Sequence, residues 1–351
     1  MSTAIVKRNS SLDILRIIAT LMVIMIHCSA AFVSGYGLGT VEFLWGNVFD
    51  SVSRIGVPLF VMISGALFLD ESREITIKRV LSKNVLNLGV ITLIWAVIYS
   101  VRYQIIAPLE VGNAINTQNV FMRILNGHYH MWYLYMTIGL YLMVPFFKKI
   151  VRKENKHLVL FFIIFSFVVQ SVLPTISSVL THFGINTVIM SWIGKFQLEF
   201  FGGYITYFLA GWYIVHIGIN SKWVRYLLYV LGALSLAFVV VYVHYTRDYN
   251  QVYGYLSAPV FLIAIAFFLA VNQLKLNFKD KTILNLGNVS KITFGVYLVH
   301  ILILDTFAKE LPYKTNPLLY ILIEFVAVTA VSFLVAFIIS KIPLIKKIIK
   351  A

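Results

Sequence analysis

Long apolar runs recur along the chain and are separated by short polar segments. Because an α-helix rises about 1.5 Å per residue and the hydrocarbon core of a bilayer is about 30 Å thick, roughly 20 apolar residues cross it. The pattern therefore predicts an all-α membrane protein with about ten transmembrane helices. Their predicted bounds are 12–33, 46–69, 85–106, 131–147, 158–174, 200–217, 223–243, 255–273, 290–307 and 318–340.

Lysine and arginine residues are concentrated in alternate segments between these runs. Such residues accumulate in the cytoplasmic loops of membrane proteins. When the N-terminus is placed in the cytoplasm, most of the 29 Lys and Arg residues fall in inner segments. With ten crossings, the pattern predicts that both termini are cytoplasmic, that 107–128 is external and that 148–157 is internal.

Composition limits the function classes that need to be considered. The chain has 351 residues, of which 60% are hydrophobic and 12% are charged, too few charges for a soluble globule of this size. The net charge of +15 is spread over short clusters rather than gathered on one surface, which excludes a nucleic-acid partner. A single cysteine, Cys28, allows no intrachain disulfide, and we interpret it as a small apolar filler.

The polar stretches are too short to form a separate soluble domain. The longest of them, 107–130, 175–199 and 274–290, have the size of loops. We therefore predict one membrane domain over 1–351.

The first apolar run carries three ionisable residues on one helical face. At about 100° per residue, Asp13, Arg16 and His27 point to the same side, with His27 roughly 16 Å beyond Arg16 along the helix. Because an ionisable group costs about 2.5 kcal/mol or more in lipid, this face must contact protein or water. Interfacial anchoring and a hydrogen-bonded core histidine are the structural alternatives; a catalytic role is the interpretation we favour.

Four segments form an ordered set of motifs. The first is RNSSLDILRIIATLMVIMIH, which places ten residues between Arg16 and His27; the others are SRIGVPLFVMISGALFL (53–69), HYHMWYLYMTIGLYLMVP (128–145) and TFGVYLVH (293–300). In this order they resemble the type-three membrane acyltransferase family, whose members commonly O-acylate extracytoplasmic glycans. The resemblance extends over nearly the whole chain, which makes it far more specific than any single motif.

The resemblance implies a multi-pass O-acyltransferase of the cell membrane. Its co-substrate would be acyl-CoA, most commonly acetyl-CoA, with no bound cofactor, and its acceptor a hydroxyl of an extracytoplasmic or lipid-linked glycan. Two features depart from the family. Many members have two arginines three residues apart at the third helix, whereas here Arg79 is followed by Ser82 and then Lys83. Some members also carry an appended esterase-like domain, and we expect none here.

The family interpretation assigns roles at the cytoplasmic side. Asp13, Arg16, Arg79 and Lys83 are candidates for donor binding, since cationic side chains bind the phosphates of CoA. The positive-inside rule alone would also explain Arg79 and Lys83. His27 is the catalytic candidate, because an imidazole with a pKa near 6.5 can take the proton of a sugar hydroxyl or attack the thioester itself. Both routes remain open.

On the external side, Arg54, His130, Trp132 and Tyr135 are candidates for the acceptor or oxyanion side. Aromatic rings stack on sugars, and a guanidinium can stabilise an oxyanion. The alternatives are interfacial aromatic anchors and a snorkelling arginine. His128 and His130 could contribute to a metal site, but acyl transfer from a thioester needs no metal, and we predict none.

His300 and Glu324 are further site candidates in late helices, although a satisfied polar cluster would explain them equally well. Two other classes share these features, namely a transporter or flippase of a small molecule or lipid-linked sugar, and a membrane module serving a partner enzyme. The acyl group, the acceptor and the oligomeric state are not specified by the sequence. A requirement for an acyl donor separates an acyltransferase from these two alternatives.

Overall fold

The computed structural model describes residues 9–198, 202–274, 278–310, 316–343 and 345–349. Within these ranges the chain is helical and contains no β-strand. We number the helices α1 (Ser10–Gly35), α2 (Val41–Ser53), α3 (Gly56–Phe68), α4 (Ile77–Glu110), α5 (Thr117–Asn126), α6 (Trp132–Ile150), α7 (Lys153–His182), α8 (Ile189–Lys195), α9 (Tyr204–Ile217), α10 (Lys222–Thr246), α11 (Tyr249–Val252), α12 (Ala258–Gln273), α13 (Asp280–Glu310) and α14 (Pro317–Lys341).

Seven helical segments are long and apolar enough to cross a membrane. They are α1, the segment formed by α2 and α3, α4, α7, α10, α13 and α14. The chain is therefore a multi-pass membrane protein, as its apolar runs predict. Each of the ten predicted spans overlaps a helix; the second covers α2, the turn after it and α3, and residues 200 and 201 of the sixth lie outside the described residues.

Three predicted spans are not among the seven long apolar helices, and each has a physical reason. Helices α9 and α12 are apolar but shorter than 18 residues. Helix α6 contains Pro145 and ends in Lys148 and Lys149, which lower its apolar character. The protein is thus a multi-pass helical membrane protein in which three of the ten predicted spans are short or less apolar helices.

All three stretches predicted as loops are partly helical, since 274–290 contains the start of α13 at Asp280. The stretch 107–130 contains the end of α4 and the whole of α5, and 175–199 contains α8. Helix α5 begins where the Asn116 side chain accepts a hydrogen bond from the Asn119 amide at 3.1 Å, which satisfies one of the free amides of the first turn. Because α5 is amphipathic, no continuous apolar run marks it in the sequence.

The internal contacts divide the chain into two compact units, one from 1–70 and 151–336 and the other from 71–150 and 337–351. In the first unit, α1 packs against α2, α3 and α13, α9 packs against α3, and α10 packs against α12. Helix α1 begins at a side-chain cap, since Asn9 accepts hydrogen bonds from the amides of Ser11 and Leu12. Helix α1 thus forms the centre of the first unit.

Helices α3 and α9 approach so closely that only glycine fits at their crossing. A Cβ atom on Gly65 would overlap the carbonyl oxygen of Phe208, and one on Gly211 would overlap the carbonyl oxygen of Met62. Small residues permit this close backbone contact between membrane helices. This contact holds α3 against α9.

In the second unit, α4 is joined to its neighbours by side-chain hydrogen bonds to backbone. The Ser100 hydroxyl donates to the Val120 carbonyl of α5 at 2.8 Å. The indole of Trp95 donates to the carbonyl of Ile348, in a terminal 3₁₀ turn, also at 2.8 Å. These bonds satisfy buried polar groups that would otherwise be costly in an apolar environment.

The glycine contact gives a stability prediction. We expect Gly65→Ala to lower the thermal midpoint of the purified protein, with a cost of about 1–3 kcal/mol or more from overpacking against backbone. Gly139→Ala in α6 is the matched control, because a Cβ there meets no atom within 4 Å. Equal thermal midpoints for the two variants would contradict the close contact.

Candidate active site

Helices α1 and α13 bring polar side chains together at one end of their interface. Arg16 donates from Nη1 to the Ser290 hydroxyl at 2.9 Å. The same nitrogen lies 3.6 Å from a carboxylate oxygen of Asp13, which is buried. Asp13 and Arg16 therefore share a face of α1, as the sequence predicts, and that face is directed at another helix of the protein.

Further along the same interface, two histidine rings meet. The ring centroids of His27 and His300 are 5.2 Å apart, with the ring planes tilted by 40°. His300 is fully buried, and its Nδ1 lies 2.6 Å from the carbonyl oxygen of Tyr297. Since a carbonyl only accepts, Nδ1 of His300 carries a proton, and in the neutral ring the lone pair is on Nε2.

The order of these contacts gives the relative direction of the two helices. Arg16 contacts Ser290, and the later His27 contacts the later His300. The separation along each helix is similar, roughly 15–16 Å at 1.5 Å per residue. Helices α1 and α13 are therefore parallel.

Helix α14 adds a carboxyl group to this part of the first unit. Ile321 packs with Met25 and Phe32 of α1. One turn later, Glu324 is largely buried, is hydrogen-bonded to the Tyr320 side chain and interacts electrostatically with Cys28. Because Cys28 follows His27 directly, the structure brings both late candidates, His300 and Glu324, to the region around the first-helix histidine.

Arg54 is held in a buried ion pair that the sequence analysis did not anticipate. Its Nε and Nη2 lie 2.6 and 2.8 Å from the two carboxylate oxygens of Asp50, one helical turn earlier. The guanidinium also lies over the Tyr253 ring, 4.4 Å from its centroid. The i, i+4 spacing of two opposite charges in a predicted span was the signal that could have revealed Asp50. The Arg54 guanidinium is therefore held inside the protein by Asp50 and the Tyr253 ring.

The Tyr253 side chain extends this polar cluster. Its hydroxyl donates to the Asn47 side-chain oxygen at 2.6 Å, and the Asn47 amide donates to the carbonyl of Val240 at 2.8 Å. Asn47 and Asp50 are both fully buried. The cluster thus links α2 to α10 and to the segment that follows α11.

The other two donor candidates, Arg79 and Lys83, belong to the second unit. Both are exposed, at the start of α4, where the chain forms a π-helical segment at Val80–Val85. Asp13 and Arg16 belong to the first unit. The four candidates for donor binding are therefore divided between the two units.

The histidines at 128 and 130 form a compact aromatic cluster in the second unit. Their Nδ1 atoms are 3.0 Å apart, and the His128 ring stacks on Tyr99 and Tyr103, with centroid distances of 4.6 and 4.8 Å. Burial, together with the nearby positive charge of Arg123, lowers the pKa of His128 to about 4. His128 is therefore neutral near pH 7 and can share a hydrogen bond with His130.

The aromatic candidates beside this cluster are more accessible. Trp132 and Tyr135 are 36% and 41% exposed, and the Tyr135 hydroxyl donates to the carbonyl of Leu125 at 3.4 Å. Over the residues that the coordinates describe, no three His, Cys, Asp or Glu side chains are grouped as a metal ion would require.

The fold and the α1–α13 interface define a class, a multi-pass membrane protein with buried ionisable groups between its helices. A family model described as an acyltransferase domain matches residues 9–340, which includes most of both units. No curated protein and no solved structure matches the chain. Because the match covers nearly the whole chain, the chain belongs to the acyltransferase 3 family. The family resemblance drawn from the motifs is confirmed.

The Asp50–Arg54 pair gives a prediction that separates structure from chemistry. Arg54→Gln leaves a buried carboxylate unpaired, so we expect a loss of about 3–5 kcal/mol in the free energy of unfolding. The double variant Asp50→Asn/Arg54→Gln should recover part of that loss. Thermal unfolding of the purified variants measures both effects.

A matched control is Arg102→Gln, which breaks the more exposed Arg102–Glu110 pair at 3.4 Å. Exposed pairs contribute about 0–1 kcal/mol, so this variant should unfold near the wild-type midpoint. If Arg54→Gln were equally mild and the double variant no better, the buried pair would not be structural.

Proposed function

We propose that the protein transfers an acyl group, most commonly acetyl, from cytoplasmic acyl-CoA to a hydroxyl of an extracytoplasmic or lipid-linked cell-surface glycan. Family membership supports acyl transfer. The single observation that carries the proposal is the His27–His300 pair, which lies on two parallel helices whose other ends are joined through Arg16. A cation and an imidazole are thus separated by about half the length of a membrane-spanning helix.

The donor would bind at the Arg16 end of the interface. CoA carries several phosphates, and charge-assisted hydrogen bonds from a guanidinium recognise them. Asp13 orients Arg16 through their 3.6 Å contact. Within the second unit, we propose that the exposed cations Arg79 and Lys83 serve donor binding by contacting phosphate. The pantetheine arm then carries the thioester along the interface toward His27.

At His27, the reaction could follow either of two balanced routes. As a general base, the imidazole takes the hydroxyl proton while the oxygen attacks the thioester carbon; the carbon–sulfur bond breaks, and the proton passes to the CoA thiolate. As a nucleophile, a ring nitrogen attacks the thioester carbon, the carbon–sulfur bond breaks, and the ring proton passes to the CoA thiolate, which leaves an acyl-histidine. The hydroxyl oxygen then attacks the acyl carbon, the acyl–nitrogen bond breaks, and the hydroxyl proton returns to the imidazole. In both routes His300 orients the His27 ring, because the Tyr297 carbonyl holds His300 in one tautomer.

For the acceptor, Trp132, Tyr135 and His130 are the candidates in the second unit. Trp132 and Tyr135 are exposed enough to stack on a sugar ring. Arg54 is a weaker candidate for an oxyanion contact than its sequence position implies, because its guanidinium is paired with Asp50. We propose for Arg54 a supporting role that fixes α2.

We further propose ten crossings in the cell membrane, with both termini cytoplasmic. The seven long helices alone would make α13 the sixth crossing, which runs opposite to α1. Counting α6, α9 and α12 makes α13 the ninth crossing, which runs in the direction of α1. The parallel contacts between α1 and α13 support the second count.

The proposed orientation is testable by accessibility. Single cysteines at Asn113 and Glu154, both exposed positions, are introduced in a Cys28→Ser background. On intact cells, an impermeant thiol reagent should label the cysteine at 113 and leave that at 154 unlabelled until the membrane is opened. The reverse labelling, or equal labelling of both, would contradict the proposed topology.

The function itself is tested most sharply at His27. General-base assistance contributes about 10² to 10⁴ in rate, so His27→Gln should abolish detectable glycan acylation, because glutamine keeps the hydrogen bonding but accepts no proton. The measurement is the acyl content of surface glycan at matched protein level. A nucleophilic role predicts the same loss.

His157→Gln is the matched control, since His157 is exposed and lies outside the site. It should retain normal acylation. Acylation that survives His27→Gln would show that the histidine serves only as a hydrogen-bonding group, and the proposed mechanism would then be wrong.

A further inference from the structure

A cavity of about 460 Å³ lies in the first unit between the C-terminal part of α7, α8 and α11. Its volume falls in the range of small-molecule sites, about 300–1,000 Å³. Most of its lining side chains carry hydroxyl, amide, imidazole or carboxylate groups. They include Ser177, Ser178, Thr181, His182, Asp248 and Gln251.

The polar groups of this cavity are held in defined positions. The Asp248 carboxylate accepts a hydrogen bond from the Tyr242 hydroxyl at 3.0 Å and lies 3.3 Å from Nδ1 of His182. The hydroxyl of Ser177, another lining residue, lies 2.6 Å from the hydroxyl of Thr187. A set of hydroxyls, one carboxylate and one amide matches a ligand with many hydroxyl groups, because a ligand hydroxyl can both donate and accept hydrogen bonds.

An exposed aromatic ring contacts His182, one of the residues that line the cavity. Phe183 is 63% exposed and makes an edge contact with His182, with ring centroids 5.2 Å apart. Sugars present apolar C–H faces as well as hydroxyls, and aromatic side chains supply the matching surface. Polar walls beside an exposed ring therefore favour a sugar over a purely polar ligand.

The charges of the cavity favour an uncharged ligand. Of its lining residues, only His182 and Asp248 are ionisable, and they face each other. No lysine or arginine lines it, although phosphate and carboxylate ligands are usually bound by such residues. The neighbouring Arg247 directs its guanidinium to the carbonyl of Ser34.

The cavity is connected to the helix that carries His27. The Arg247–Ser34 hydrogen bond, at 3.3 Å, joins the residue beside Asp248 to the end of α1. A core cluster that includes Val33 and Val252, with Val179 packed against it, continues this connection from α1 to the cavity walls. His27 lies seven residues before Ser34, roughly 10 Å along the helix.

We infer that this cavity binds an uncharged pyranose unit of the acceptor glycan. The inference rests on the proposed function, because it identifies where part of the acceptor is held. By the proposed topology, the C-terminal end of α7 and the α10–α11 turn lie on the external side, where such a glycan is found.

Binding is tested without any acyl donor, on the purified full chain in nanodiscs. Saturation-transfer NMR compares methyl β-D-glucopyranoside with its charged counterpart, methyl β-D-glucuronide. The uncharged sugar should give the stronger signal. Ser178→Trp, which fills the cavity, should weaken that binding by about tenfold or more, whereas Ile176→Trp on the same helix should leave it unchanged, because Ile176 is exposed and outside the cavity lining.

Gln251→Ala provides a second variant without added bulk, and it should weaken binding severalfold even if the tryptophan variant fails to fold. Equal binding by Ser178→Trp and Ile176→Trp, no loss in Gln251→Ala, or stronger binding of the glucuronide would overturn the inference. Sugar binding that responds to these variants in a protein that transfers no acyl group would refute the proposed function and leave the sugar site standing.

Discussion

An ionisable side chain can remain in the apolar part of a membrane only where the protein supplies partners for it, and the first helix meets this constraint by packing against α13. Arg16 is bonded to Ser290 and lies beside Asp13, while His27 contacts His300 further along. Because α1 also packs against α2 and α3, this helix joins the polar interface to the close Gly65 and Gly211 contacts between α3 and α9.

The same contacts determine what chemistry the interface can support. A cation at one end and an imidazole deeper in the membrane fit a substrate with a phosphorylated head and a reactive group at the end of a long arm. The second histidine is held by a backbone carbonyl, and its ring lies 5.2 Å from that of His27. The buried Asp50–Arg54 pair and its tyrosine contact stabilise α2, one of the helices that pack on α1. The buried ion pair and the candidate site residues of α1 and α13 therefore belong to one helical unit.

Features that depend on nearby residues could be predicted from the sequence, whereas features that depend on distant pairing could not. Helical periodicity placed Asp13, Arg16 and His27 on one face, and the structure directs that face toward α13. The contact between His27 and His300 joins helices far apart in the chain, so no local pattern reveals it. Helix α5 was missed because its apolar residues are interrupted, and Asp50 was missed although its spacing from Arg54 is local. The polar cavity beside Asp248 depends on three separate helices and has no signature in any one segment.

The central claim is that the protein moves an acyl group from a cytoplasmic donor to an external acceptor. Its most direct measurement uses sealed, inverted membrane vesicles that contain the protein, with radiolabelled acetyl-CoA supplied to the exposed cytoplasmic face. The account predicts that label appears in glycan or lipid-linked sugar within the vesicles and that transfer depends on the protein. Uptake of an unmodified sugar or other small molecule without any acyl donor, and without labelled glycan, would contradict the account and favour a transporter.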